Sequence, residues 1–141
     1  MGRIELGLLG GIVVALAIAG AAAAWTSARG ATGTPDLTVN IRYSHFEPSE
    51  LSVPVGVPVT VVLRNHDMID HEWILGDDAV HERHRTGTEP VHGARPTEVT
   101  IPAGETRRTT IVLDSAGALR YICHLPGHEA YGMVGVLVAG S

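Results

Sequence analysis

Residues 121–133 read YICHLPGHEAYGM, and they hold the chain's only cysteine, Cys123, followed by His128 and Met133. A thiolate, an imidazole and a thioether in the pattern Cys-x4-His-x4-Met are soft and borderline donors. That combination suits copper, whereas zinc seldom takes a methionine. A lone cysteine is more often a small buried hydrophobe, but here two further donors lie within ten residues of it. With a single cysteine the chain forms no internal disulfide.

Three donors on one loop leave the site incomplete. Copper sites of the blue type use two histidines, one cysteine and a distant axial methionine. The second histidine must come from another part of the chain, and NHDMIDHEWIL (65–75) offers His66 and His71. His71 is preferred, because it directly precedes the apolar Trp73-Ile74-Leu75 and so sits at the end of a strand. Such a site binds only when the thiol is ionised and the imidazoles are neutral, so acid should weaken it.

The elements that must hold these residues read as strands. Apolar residues alternate in LTVNIRYSHF (Val39, Ile41, Tyr43), PVTVVLRN (Val59, Val61, Leu63), RRTTIVLD (Ile111, Leu113), ALRYIC (Leu119, Tyr121, Cys123) and MVGVLVAG (Val134, Val136, Val138). Period-two alternation broken by VPVGVP, PAGE and DSAG predicts short, half-buried antiparallel strands. About seven of them in one domain point to an all-β sandwich. Loops gather at the ends of a sandwich, so the His71 and Cys123–Met133 segments can meet at one pole.

Two regions depart from this rhythm. Residues 76–97 form a long polar insert, which carries His81, His84 and His92 and has room for a short helix around Asp78–His84. Long loops of this kind tend to be functional or mobile. A solvated polar loop is the simpler reading; a second metal ion at His81, His84 and His92, or a lid over the pole, are the sharper ones. The N-terminal 25 residues are different in kind. Leu6–Ala24 is an unbroken run of apolar residues and glycine, closed by Trp25. It approaches the roughly 20 residues that span a bilayer, and it reads either as a retained anchor or as a cleaved signal peptide. Residues 26–35 form a small, polar, Gly- and Pro-bearing linker, and residues 36–141 the domain. Export to the periplasm or cell surface is expected on either reading, with the domain tethered to the membrane or secreted. All ten basic residues are arginine, they form no cluster, and the net charge is −5, so nucleic acid is not an expected partner.

The quoted motifs resemble the cupredoxins, the plastocyanin- and azurin-like blue copper proteins. FEPSELSVPVGVPVTVVLRNHDMIDHEWIL resembles the first half of that family's domain, and YICHLPGHEAYGMVGVLVAG resembles its ligand loop and last strand. The resemblance implies a Greek-key β-sandwich, a type 1 copper site held by His71, Cys123, His128 and Met133, and one-electron transfer between Cu(II) and Cu(I). It implies a redox protein as donor and another as acceptor, a monomeric state and no enzymatic activity. A copper-delivery role in metal homeostasis is the alternative. The ten-residue Cys-to-Met offset also resembles multicopper oxidases, but those carry histidine on both sides of the cysteine. Here Ile122 precedes Cys123, and only His124 follows it. His124 has the opposite parity to Cys123 and is expected to face away from the metal, as a surface or core-edge residue. Glu72 follows His71, where many members of the family carry asparagine.

Overall fold

The computed structural model describes residues 34–87 and 92–140. The apolar run and most of the linker lie outside those residues. Among the described residues no helix is long and apolar enough to cross a membrane.

Among the described residues, nine strands form two sheets. The first has the order β2-β1-β4-β7, with β1 Asp36–Arg42, β2 His45–Glu47, β4 Val59–Asn65 and β7 Thr106–Ile111. The second has the order β3-β9-β8-β5-β6, with β3 Glu50–Pro54, β5 His71–Gly76, β6 Glu98–Ile101, β8 Gly117–Ile122 and β9 Val134–Gly140. The chain crosses repeatedly between the sheets, and spatial neighbours such as β5 and β8 are far apart in sequence, as Greek-key connections require. Pairing is mostly antiparallel; β1–β4 and β3–β9 run parallel. PAGE falls between β6 and β7, and the turns of VPVGVP and DSAG fall at the end of β3 and just before β8, as their turn-forming residues predict.

The core lies between the sheets. Val39, Ile41, Phe46, Val61 and Leu63 face Leu51, Val53, Trp73, Leu75, Tyr121 and Leu137. Phe46 packs its ring edge-on to Tyr121, with centroids 5.1 Å apart, a geometry that aromatic quadrupoles favour. The alternation expected through Tyr43 stops one residue early. Tyr43 and Ser44 both take positive φ, 53° and 55°, forming a tight turn that reverses the chain into β2 and leaves Tyr43 89% exposed. Two non-glycine residues in that region carry a steric cost. It is offset by Asp67, whose carboxylate accepts hydrogen bonds from both of their backbone N–H groups (2.8 and 2.9 Å).

Around β5 the second sheet is buried on both faces. All six residues of β5 are buried, and Ile74 and Ile122, paired across β5 and β8, are fully buried outside the inter-sheet core. The insert covers them. It forms α1, Asp78–Arg85, started by Asp77, whose side chain accepts from the Val80 N–H as an N-cap should. His81 fastens α1 to the sheet, its Nε2 lying 3.1 Å from the Gly76 carbonyl and 3.2 Å from that of Arg120. Gly76 has to be glycine here, because a Cβ would lie 2.5 Å from the Val80 side chain. Covering two isoleucines contributes about 3–6 kcal/mol before entropy. The solvated loop expected over 76–97 is thus replaced by a packed layer in which His81, His84 and His92 are buried.

Candidate metal centre

Two connections carry the centre. The first joins β4 to β5. Asn65, buried at the end of β4, sets its shape: Nδ2 reaches the carbonyls of Ile69, Ile101 and Pro102 (2.8–3.1 Å), while Oδ1 accepts from the Asp67 N–H. This pins the loop between two strands and delivers His71 to the start of β5. The second connection joins β8 to β9. Gly127, at φ 85°, supplies the positive φ that turns the loop. The His128 N–H donates to the Leu125 carbonyl and the Met133 N–H to that of His128, and the Cys123 N–H donates to the Met133 carbonyl. These bonds close the loop and bring Met133, fully buried, back beside the cysteine's backbone.

Three side chains converge. His71 Nδ1 lies 3.3 Å from His128 Nδ1, and Cys123 Sγ lies 3.2 Å from the same nitrogen. Together His71, Cys123 and His128 present one nitrogen or sulfur each within 4.8 Å of one another. Two of them have support behind them. His71 Nε2–H donates to Asp67 Oδ2 at 2.9 Å, so the Nδ1 lone pair points inward, as a carboxylate-oriented imidazole should. The Glu72 N–H donates to Cys123 Sγ at 3.3 Å. That bond uses the backbone, so glutamate in place of asparagine at this position does not disturb it.

The electrostatics suit a cation. Burial pushes the Cys123 thiol up to about 11, opposed by the Glu72 and Leu125 amides. A thiol held neutral this way ionises on meeting a metal ion. Burial also lowers His71 and His128 below the ordinary imidazole value, which keeps both in the neutral form that ligates. Burial raises Asp67, but the Ser44 and Tyr43 amides and His71 outweigh it and hold the carboxylate low. Two imidazoles, a thiolate and a thioether fit copper better than zinc or a hard cation. His66 is not part of the group; its Nε2 meets Asn40 Oδ1 at 3.1 Å on the surface.

The insert histidines do not assemble as the sequence suggested. His81 turns to His124, with 3.0 Å between Nδ1 and Nε2. His84 and His92 come together instead with Glu98, forming a second buried group of donors within 4.8 Å of one another. His124 does point away from the Cys123 group, but its side chain is only 3% exposed rather than lying at the surface. Burial first, with the charges of neighbouring groups, brings it down to about 4. Arg85 bridges α1 to the ligand loop through Glu129 at 2.7 Å.

Sequence reasoning missed Asp67, Asn65 and Glu98, and it singled out Glu72 only as a departure from the family's pattern. For Asp67 a signal was present: it stands four residues before His71 in the stretch NHDMIDH. Glu98 lies in a strand whose outer face looks solvent-bound until α1 covers it, so nothing local marks it.

Comparison with known proteins places this geometry in a wider group. The cupredoxin-like domain model matches residues 12–139. A copper-resistant cuproprotein, CopI, of Rubrivivax gelatinosus is 31% identical over 96 residues, 66% of this chain and 58% of that protein, so the chain spans little more than half of that relative's length. The protein of the same description from Pseudomonas aeruginosa is 27% identical over 166 aligned positions, 95% of this chain and 92% of that one. Among solved structures, dithionite-reduced auracyanin from Roseiflexus castenholzii shares the fold, with a TM-score of 0.64 and 20% identity over 77% of this chain and all of that one. Auracyanin A, a "blue" copper protein of Chloroflexus aurantiacus, has a TM-score of 0.61 and 26% identity over 77% of this chain and 100% of its own. With a family match running over most of its length, the chain belongs to the cupredoxin-like domain family.

Proposed function

We propose that this chain is an exported type 1 copper protein that carries single electrons between redox partners, with His71, Cys123, His128 and Met133 as the copper ligands. The observation that carries the reading is the convergence of His71 Nδ1, Cys123 Sγ and His128 Nδ1 at one pole, with supporting contacts already formed behind His71 and Cys123. Copper held there supplies one-electron chemistry by alternating between Cu(II) and Cu(I). The protein's part is to hold the ligands still. His71 is fixed by Asp67 and the start of β5, Cys123 by the Glu72 amide and the end of β8, and Met133 by the loop's own backbone bonds. A frame fixed at both strand ends moves little between oxidation states, and burial of Cys123 and Met133 keeps water from the sulfur ligands. His128 is the more accessible imidazole. The two ligand-bearing connections expose Met68, Ile69 and Tyr131, an apolar rim suited to brief docking of a partner near His128. The chain has no enzymatic activity of its own on this reading, and its apolar N-terminal run carries it to the membrane or beyond it.

A second reading, copper handling in metal homeostasis, draws on the two relatives described as copper-resistant cuproproteins. Reduction followed by a Cu(I) chelator separates the two. An electron carrier gives a reversible one-electron wave and keeps its copper through repeated cycles. A delivery protein gives its copper to the chelator on reduction, and that result would overturn the carrier reading.

A further inference from the structure

The outer face of the second sheet holds a polar cluster that the copper site does not use. His84 enters from α1, Glu98 from β6, and His92 from the segment before β6. All three side chains are at most 5% exposed. Their hydrogen-bond chemistry is directional. His84 Nδ1 lies 2.8 Å from the Val80 carbonyl. A carbonyl only accepts, so Nδ1 carries the proton and Nε2 of the neutral ring presents a lone pair. That lone pair faces Glu98 Oε2, another acceptor, at 3.6 Å. His92 lies between two carboxylates: Nε2 faces Glu72 Oε1 at 3.5 Å and Nδ1 faces Glu98 Oε2 at 3.9 Å. With Nε2 donating to Glu72, Nδ1 turns its lone pair toward Glu98. His84, His92 and Glu98 thus each direct one donor atom into a buried space, all within 4.8 Å of one another, as the ligands of a metal ion do.

We propose that His84, His92 and Glu98 form a second metal site, for a divalent ion of borderline softness, Zn(II) or Cu(II). Two imidazoles and one carboxylate are a recurring zinc donor set that leaves an open position. Bonds of about 2.0–2.2 Å in a tetrahedral site put neighbouring donors about 3.3–3.6 Å apart. The 3.6 and 3.9 Å from Glu98 Oε2 to the two rings need a contraction of only a few tenths of an ångström, and all three donors already lie within 4.8 Å of one another. Both imidazoles have the acceptor behind them that metal-binding histidines usually have: the Val80 carbonyl for His84 and the Glu72 carboxylate for His92. Glu98 is braced from its other side. Arg83 and Arg95 bond Oε1 at 2.7 and 3.0 Å, and although Arg95 also reaches Oε2 at 3.1 Å, Oε2 remains turned toward the two rings. Burial raises the Glu98 carboxyl, but the hydrogen bond and charge of Arg95, with the charge of Arg83, work against it and hold the carboxyl below its ordinary value. The two centres meet at Glu72, whose backbone N–H supports Cys123 and whose carboxylate faces His92.

The test uses the full chain, freed of metal, with Cys123→Ser silencing the first centre. It is titrated with Zn(II) and separately with Cu(II), and bound metal is counted after gel filtration. One retained equivalent is expected, with Cu(II) giving nitrogen couplings in EPR and no thiolate band. Glu98→Gln, which keeps the side chain's size, should weaken binding by at least about tenfold, and the double change His84→Ala/His92→Ala should abolish it. A retained equivalent that survives the double change overturns the proposal. The unmutated protein, its Cys123 centre filled first, gives a check that needs no variant: Zn(II) should shift the ring nitrogens of His84 and His92 in 15N NMR. Rings that respond to pH but not to Zn(II) would show a cluster that takes up only a proton, and would also overturn the site.

Discussion

The two ligand clusters share one building rule and differ in everything else. At the pole, a thiolate and two imidazoles converge from two loops, and Asp67 orients His71. On the outer face of the second sheet, two imidazoles and a carboxylate converge from a helix, a connecting segment and a strand, and Val80 and Glu72 orient the rings. In both, an acceptor behind the imidazole turns its lone pair toward the cluster. The polar cluster holds no sulfur and is braced by arginines, so it suits an ion of fixed oxidation state. The pole carries two sulfur side chains, Cys123 and Met133, and suits an ion that changes state. Soft donors select redox chemistry; the shared scaffold only presents them.

The largest expected effect separates the two outright. Cys123→Ser should abolish the intense thiolate-to-copper absorption band while leaving metal binding at His84, His92 and Glu98 intact; a surviving band would mean that another residue supplies the thiolate-like ligand. Next in size is Asp67→Asn, which removes the carboxylate behind His71 and weakens the clamp on Tyr43 and Ser44. Copper affinity at the pole should fall about 10–100-fold, measured by competition with a chelator, with no change at the outer cluster. Gly76→Ala attacks the other side of the comparison. Its Cβ would collide with Val80 and lift α1 from the sheet, costing about 1–3 kcal/mol in chemical denaturation while the pole's copper spectrum stays the same.

The smallest effect is a pH slope. His81 is buried against the Gly76 and Arg120 carbonyls, and burial, ahead of its hydrogen bonds and the arginine charges, lowers it below 6.5. The unfolded chain therefore takes up a proton at a pH where the folded chain refuses it. Stability of the metal-free protein should fall as pH drops below about 6.5 and stop falling below the lowered folded value. His81→Gln should flatten that slope in denaturation curves collected across the range. An unchanged slope would assign it to other groups.

Most of the pole was legible in the sequence. Cys123, His128 and Met133 share one loop, so their spacing is their geometry, and His71 announces itself by standing at the head of an apolar strand. The strands were legible for the same local reason, with two exceptions: at Tyr43 a turn held by Asp67 from a distant loop overrode the alternation, and in β9 Leu137 and Ala139, not Val134, Val136 and Val138, face the core. The outer cluster was only half visible. The histidines of 76–97 stood out, but their burial depends on α1 folding over β5 and β8. Their partner Glu98 is chosen by sheet pairing, not by sequence proximity. Glu72 was noted as a departure from a pattern, and its backbone and side chain prove to serve different centres.

The central claim is that His71, Cys123, His128 and Met133 hold one copper ion of type 1 character. Adding one equivalent of Cu(II) to the metal-free full chain and recording visible absorption together with EPR tests it most directly. The account predicts an intense blue or green thiolate-to-copper band with narrow copper hyperfine splitting. A colourless product, or one with the wide splitting of an ordinary nitrogen- and oxygen-ligated Cu(II), would contradict it.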